Sequence, residues 1–220
     1  MIRLDDVFTF LEGVAAFGSF ASPMKARFPD APPVPVRIDF SRLNTLHAKA
    51  FAKHIAIDLS SWDGRFDGVV TVGSHLELVV TALMKGRRKS RPLITITNEA
   101  SDRYSINGPT GENQRCIVIA ATTDDLVRYE QFATALRIHG WRIVHATAIF
   151  GWKRRYADER GLPYIRIVET YDETAGKAAE CRGMDREKYH MVCDYPSLVH
   201  DFLAEHAEAA PWFPELENAA

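Results

Sequence analysis

No stretch of the chain reaches the roughly 18 consecutive apolar residues that a membrane-crossing helix needs, so no membrane role is expected. Cysteine is scarce and odd in number. Cys116, Cys181 and Cys193 do not make a disulfide framework. The opening segment, MIRLDDVFTFLEG, carries two acids and no basic stretch ahead of an apolar one, which argues against a secretory signal. A reducing cytoplasm is the expected compartment. There is no excess of positive charge: 27 basic residues stand against 29 acidic ones, which gives no compositional support to a dedicated nucleic-acid binder. No Walker loop, dinucleotide-binding fingerprint or GxSxG elbow occurs.

What is present is a core-forming α/β pattern. Hydrophobic residues make up 46% of 220, enough for one domain with an extension. An amphipathic helix is expected over 2–18, where Leu4, Val7, Phe8, Leu11, Val14 and Ala15 recur at helical spacing. Five prolines between Pro23 and Pro35 then force an extended or turning path, because proline fixes φ and removes a donor. A short strand is expected at 36–40 and a helix at 44–58. From there the alternation becomes regular. Short apolar runs at 66–73, 92–97, 116–121, 141–151 and 163–170 read as strands. Helices are expected at 75–86, 122–140 and 154–161, with a polar loop or hairpin at 100–115. The last fifty residues break the pattern, with one helix expected at 196–209.

Such alternation predicts a mostly parallel sheet flanked by helices. Ligands of such sheets bind beyond the carboxyl ends of the strands, which singles out Thr71, Gly73, Ser74 and His75 after one strand and Thr122, Thr123, Asp124 and Asp125 after another. Each has an ordinary alternative. Thr123 or Asp124 caps a helix, and Asp124 and Asp125 are acids at a first helical turn, where the dipole favours them with no ligand. His75 at a strand-to-helix junction suits a general acid or base near neutral pH, but no nucleophile or second base is identifiable beside it. His75, Asp124 and Asp125 are therefore only weak catalytic candidates.

Two basic clusters stand out: Lys85, Arg87, Arg88, Lys89 and Arg91, and Lys153, Arg154 and Arg155. They are solvated loop or helix ends unless they face phosphate. Cys181, His190, Cys193 and His200 are separated by nine, three and seven residues, which matches no common zinc pattern. Trp152, Trp212 and Phe213 read as packing anchors.

The order of parts over roughly residues 10–170 resembles orotate phosphoribosyltransferase, a type I phosphoribosyltransferase. FGSF (17–20) is similar to the family's N-terminal segment that opens toward the pyrimidine. FDGVVTVGSHLEL (66–78) lies where the family has its pyrophosphate loop, and LITITNEASDRYSINGPTGENQ (93–114) where it has a strand, an Arg-Lys pair and a mobile catalytic hairpin. CIVIAATTDDLVRYEQFATALRIHGWRIVHATAIF (116–150) matches the layout of its signature strand, phosphate loop, helix and next strand, and ERGLPYIRIVE (159–169) its closing strand. The resemblance implies a phosphoribosyltransferase-like domain over 1–170 with a hood segment at 1–60, a C-terminal extension over 171–220, and a homodimer.

The site residues that the resemblance implies are largely missing. The family's two adjacent acids, which hold the ribose hydroxyls of phosphoribosyl pyrophosphate, fall on Ala120 and Ala121. The phosphate turn reads Thr122, Thr123, Asp124, Asp125 with no glycine, and like charge there disfavours a dianion. The Arg-Lys pair falls on Thr97, Asn98 and Glu99, and the pyrophosphate-loop lysine on His75, with Leu76 where the family has glycine. Sliding the alignment makes Asp124 and Asp125 the acidic pair, but then the following helix loses its first turn.

The resulting expectation is a pseudoenzyme: a degenerate member without ordinary phosphoribosyl transfer, acting as a ligand-binding or regulatory protein for a nucleotide- or base-like molecule. An active transferase acting on another phosphorylated or pyrophosphorylated substrate is the alternative. A nucleic-acid-associated protein using the run 85–91 is a third reading. No cofactor is implied with certainty, and magnesium enters only if the ancestral activity survives.

Overall fold

Gly68–Val72 is the central strand from which the rest of the sheet is most easily built. Four of its five residues are buried, as a strand covered on both faces requires. The structure is a computed structural model that describes residues 15–22, 25–39, 45–62, 64–73, 76–85, 91–99, 103–122, 129–152, 155–156, 165–182 and 184–212. Among these, the strands are β1 (Ala15–Phe20), β2 (Val34–Ile38), β3 (Gly68–Val72), β4 (Leu93–Glu99), β5 (Arg103–Asn107), β6 (Gln114–Thr122), β7 (Trp141–Gly151), β8 (Arg155–Tyr156) and β9 (Ile165–Thr170). The α-helices are α1 (Thr45–Asp58), α2 (Glu77–Lys85), α3 (Tyr129–Ile138), α4 (Tyr171–Arg182) and α5 (Arg186–Glu205).

The chain forms two compact units. One comprises residues 43–150 and 154–168 and the other residues 1–42, 151–153 and 169–220. The larger sheet has the order β5-β4-β3-β6-β7-β9-β8. β4, β3, β6 and β7 run parallel, and the pairs β4–β5 and β8–β9 are antiparallel. This is the mostly parallel, helix-flanked sheet expected from the sequence. One face carries Val70, Ile94, Ile96, Cys116, Val118, Ala120, Ala146 and Ala148, packed with Leu136 of α3. Strand alternation turns Thr71, Thr95, Ile117 and Ile119 to the other face. The α1 residues Phe51 and Ile55 and the α2 residues Val79, Val80 and Leu83 are all buried, and Phe51 meets Phe150 edge-on at 6.0 Å.

Close backbone packing fixes the amino ends of these strands. Asp67 and Arg115 bind each other through backbone and side chain: Asp67 N–H donates to the Arg115 carbonyl at 2.7 Å, and Arg115 Nε donates to Asp67 Oδ2 at 3.2 Å. The side-chain hydrogen bonds from Arg115 hold the Asp67 carboxyl below its ordinary range. Gly140 has φ +80, and a Cβ there would lie 1.9 Å from the Gly111 carbonyl oxygen. The two glycines let the 108–113 loop cross the α3–β7 turn, and Trp141 Nε1 pins it by donating to the Pro109 carbonyl at 2.9 Å.

The second unit contains an antiparallel pair, β1–β2, and the α4–α5 hairpin. Phe28, Ala31, Tyr195, Val199, Phe202 and Ala209 form its core. Trp152 packs between Tyr171 and Tyr195, at 4.7 and 4.8 Å between ring centroids, in the packing role expected of it.

Four sequence expectations change. Residues 15–18, assigned to a helix over 2–18, lie in β1, where Ala15 pairs with Ile38 and Phe17 with Val36; the rest of that helix lies outside the described residues. Arg155 and Tyr156 pair with Arg166 and Ile165, so the helix expected at 154–161 is a strand where it is described. Thr122 closes β6 rather than opening a helix, and described helix begins at Tyr129. The C-terminal segment holds two helices where one was expected, and Pro196 sits inside α5 rather than at its start.

Candidate functional site

From β3 the chain passes through α2 to β4 on one side; from β6 it passes through α3 to β7 on the other. The strand order therefore reverses between β3 and β6. In an open α/β sheet the crevice at that switch point, beyond the carboxyl ends, is where ligands bind. The two segments singled out in the sequence flank this point: β3 and β6 are neighbours, with Thr71 paired to Ile119.

On the β3 side, Thr71 is wholly buried. Gly73 has φ +83 with open space where a Cβ would stand, and its N–H donates to the Ile96 carbonyl at 2.7 Å. A left-handed φ favours glycine at this turn. Ser74 and His75 lie outside the described residues. On the β6 side, Ala120 is fully buried in the apolar cluster and pairs with Ala148. Ala121 and Thr122 are half-buried, and Thr123, Asp124 and Asp125 lie outside the described residues. The described end of β6 thus offers no carboxylate to a magnesium ion or to ribose hydroxyls.

Along β4, Thr97, Asn98 and Glu99 are ladder residues paired with Ser105, Tyr104 and Arg103. The ladder runs to the Glu99–Arg103 pair, so three residues connect the strands of this hairpin.

Sequence reasoning missed a polar chain at the same end of the sheet. Thr71 Oγ1 donates to Thr95 Oγ1 at 3.4 Å, and Thr95 Oγ1 donates to Glu77 Oε1 at 3.2 Å. Thr95 is 8% exposed; Glu77, in the first turn of α2, is exposed. The partners lie 24 and 18 residues apart, so only the β3–β4 register brings them together. A second missed pair is buried on β7, where His145 Nε2 and Thr147 Oγ1 are 3.0 Å apart.

Arg91 is engaged at the amino end, its guanidinium 4.1 Å from the Phe66 ring centroid and its Nε donating to the Phe66 carbonyl at 3.1 Å. Lys85 is exposed at the end of α2; Arg87, Arg88 and Lys89 lie outside the described residues, as do Lys153 and Arg154. Among the described residues no group of three His, Cys, Asp or Glu side chains is placed to hold a metal. His190 Nε2 accepts from Arg186 Nε at 3.2 Å, and Cys193 is a free, half-buried thiol. Burial pushes the Cys116 thiol up to about 12. Among the described residues no helix is long and apolar enough to cross a membrane.

No family model matches the chain, and no curated protein sequence matches it. Solved structures do. UMP synthase of Leishmania donovani superposes with a TM-score of 0.69 at 16% identity, over 87% of this chain and 41% of that one; the chain spans about two-fifths of that protein's length. Orotate phosphoribosyltransferase of Francisella tularensis gives 0.60 at 13% identity, over 88% and 96% of the two chains. The enzyme of the same name from Aeropyrum pernix gives 0.59 at 18%, over 81% and 99%. At these identities the likeness is one of fold, and the fold is that of the orotate phosphoribosyltransferase-like type I phosphoribosyltransferases.

Proposed function

We propose that the chain is a degenerate, orotate phosphoribosyltransferase-like protein, a pseudoenzyme that binds a nucleotide- or base-like ligand or regulates a partner instead of carrying out ordinary phosphoribosyl transfer. The observation that carries this reading is the end of β6. Ala120, one of the two positions where the resemblance implies an acid, is committed to the apolar core beside Ala148. A carboxylate there would be desolvated rather than presented to ribose.

In this reading residues 1–170 form the phosphoribosyltransferase-like domain and 171–220 an extension, and the protein works in the cytoplasm as a homodimer. The test is calorimetric titration with phosphoribosyl pyrophosphate and magnesium, followed by orotate and other bases, with a radiometric assay for transfer. No magnesium-dependent binding and no transfer are expected. Turnover at an enzymic rate would sink the reading and favour an active transferase that uses His75, Asp124 and Asp125.

A further inference from the structure

The crevice between β3 and β6 has two sides, and the β3 side is tied to β4 at two separate points. Gly73 N–H donates to the Ile96 carbonyl at 2.7 Å. Four residues later, Glu77 Oε1 accepts from Thr95 Oγ1 at 3.2 Å. Both anchors are consecutive residues of one strand, and Thr95 is backed in turn by Thr71 at 3.4 Å. We infer that Thr95 and Glu77 are positioning residues: a relay running from the buried Thr71 hydroxyl to an exposed carboxylate registers the start of α2 against β4. The inference rests on reading the crevice as the ligand site.

The chemistry gives the relay a direction. Each threonine hydroxyl has one proton to donate, and an ionised carboxylate can only accept. Glu77 therefore draws the Thr95 proton outward, which leaves the Thr95 oxygen free to accept from Thr71. Thr71 and Thr95 are both buried, where an unmade hydrogen bond is expensive. The sheet thus has a standing reason to keep Glu77 in place. Glu77 also lies in the first turn of α2, where negative charge is favoured by the helix dipole. The consequence is a β3 side of the crevice that is set before a ligand arrives, by groups that touch β4 rather than β6.

Hydrogen exchange of the full chain, read without ligand, tests this. Thr95→Val keeps the shape and removes the hydroxyl. It should raise exchange at Gly73 and at amides 76–80 by about 5-fold while leaving β7 amides within about 2-fold of the parent. Glu77→Ala, at an exposed position that does not threaten folding, should do the same. Thr95→Ser and Glu77→Gln, which retain a donor and an acceptor respectively, should restore near-parental exchange. The inference is overturned if Thr95→Val and Glu77→Ala leave 73–80 unchanged. It is equally overturned if they raise β7 to the same extent, or if serine and glutamine fail to rescue. Because no ligand is present, this outcome is separate from the titration with phosphoribosyl pyrophosphate, whose result decides the functional reading alone.

Discussion

Placing an acid at Ala120 separates two pictures of the end of β6. Ala120 is 0% exposed in an apolar cluster with Val118, Ala146 and Ala148, none of which can donate a side-chain hydrogen bond. In the Ala120→Asp variant a fully buried carboxyl without a partner should be raised by about 3 pH units or more. At about 1.4 kcal/mol per unit, that destabilises the fold by about 4 kcal/mol near pH 7, a large share of the roughly 5–15 kcal/mol typical of a domain. The sign follows from linkage. The folded state holds the proton more tightly than the unfolded state, whose aspartate titrates near 3.9. The ionisation penalty is absent below about pH 4 and grows by about 1.4 kcal/mol per unit above it, until the folded group ionises. Urea unfolding at about pH 5 and pH 7 should therefore give penalties differing by about 2 kcal/mol. Ala121→Asp, at a half-buried position, should lose less than about 1 kcal/mol and show little slope. A penalty below about 1 kcal/mol for Ala120→Asp at pH 7, or one that does not vary with pH, would refute the reasoning. Position 120 would then face solvent, and the proposed loss of the ribose site would lose its main support.

Gly140→Ala should destabilise by about 2 kcal/mol or more in thermal or urea unfolding, because both the φ of +80 and the 1.9 Å approach to the Gly111 carbonyl exclude a Cβ; an unchanged midpoint would mean the loop crossing is not as described. Cys116, wholly buried with its thiol raised to about 12, should resist iodoacetamide at about pH 8 in the folded chain and react on unfolding, as peptide mass analysis would show, whereas the half-buried Cys193 should be labelled before it.

The central strands were legible because they are short, apolar and bounded by turns. The GVVTV, CIVIA and WRIVHATAIFG runs all became strands of the larger sheet, and Gly140 marks the turn after α3 as its φ requires. The elements misread were those whose fate depends on a partner. AAFGSF is a strand because β2 lies beside it, and nothing in six residues announces that neighbour. The helix expected at 196–209 begins ten residues earlier and runs through Pro196, leaving the Val192 carbonyl without its usual N–H donor. The two segments after β3 and β6 were singled out from the alternation of strands and helices. The Thr71–Thr95–Glu77 chain was not, because a hydrogen bond between residues 24 positions apart is a product of register, and register is not written in local pattern.

The division of the chain also sets an order of events during synthesis. The unit that holds β1, β2, α4 and α5 draws on residues 1–42 and 169–220, so its first part must wait for more than a hundred intervening residues to be made. At about 5–20 residues per second that delay is on the order of 10 s, far longer than the microseconds in which a hairpin forms. The sheet of the other unit can form in that interval. The N-terminal segment meanwhile carries Phe28 and Val34 without Tyr195, Val199 and Phe202, the α5 side chains of their eventual cluster.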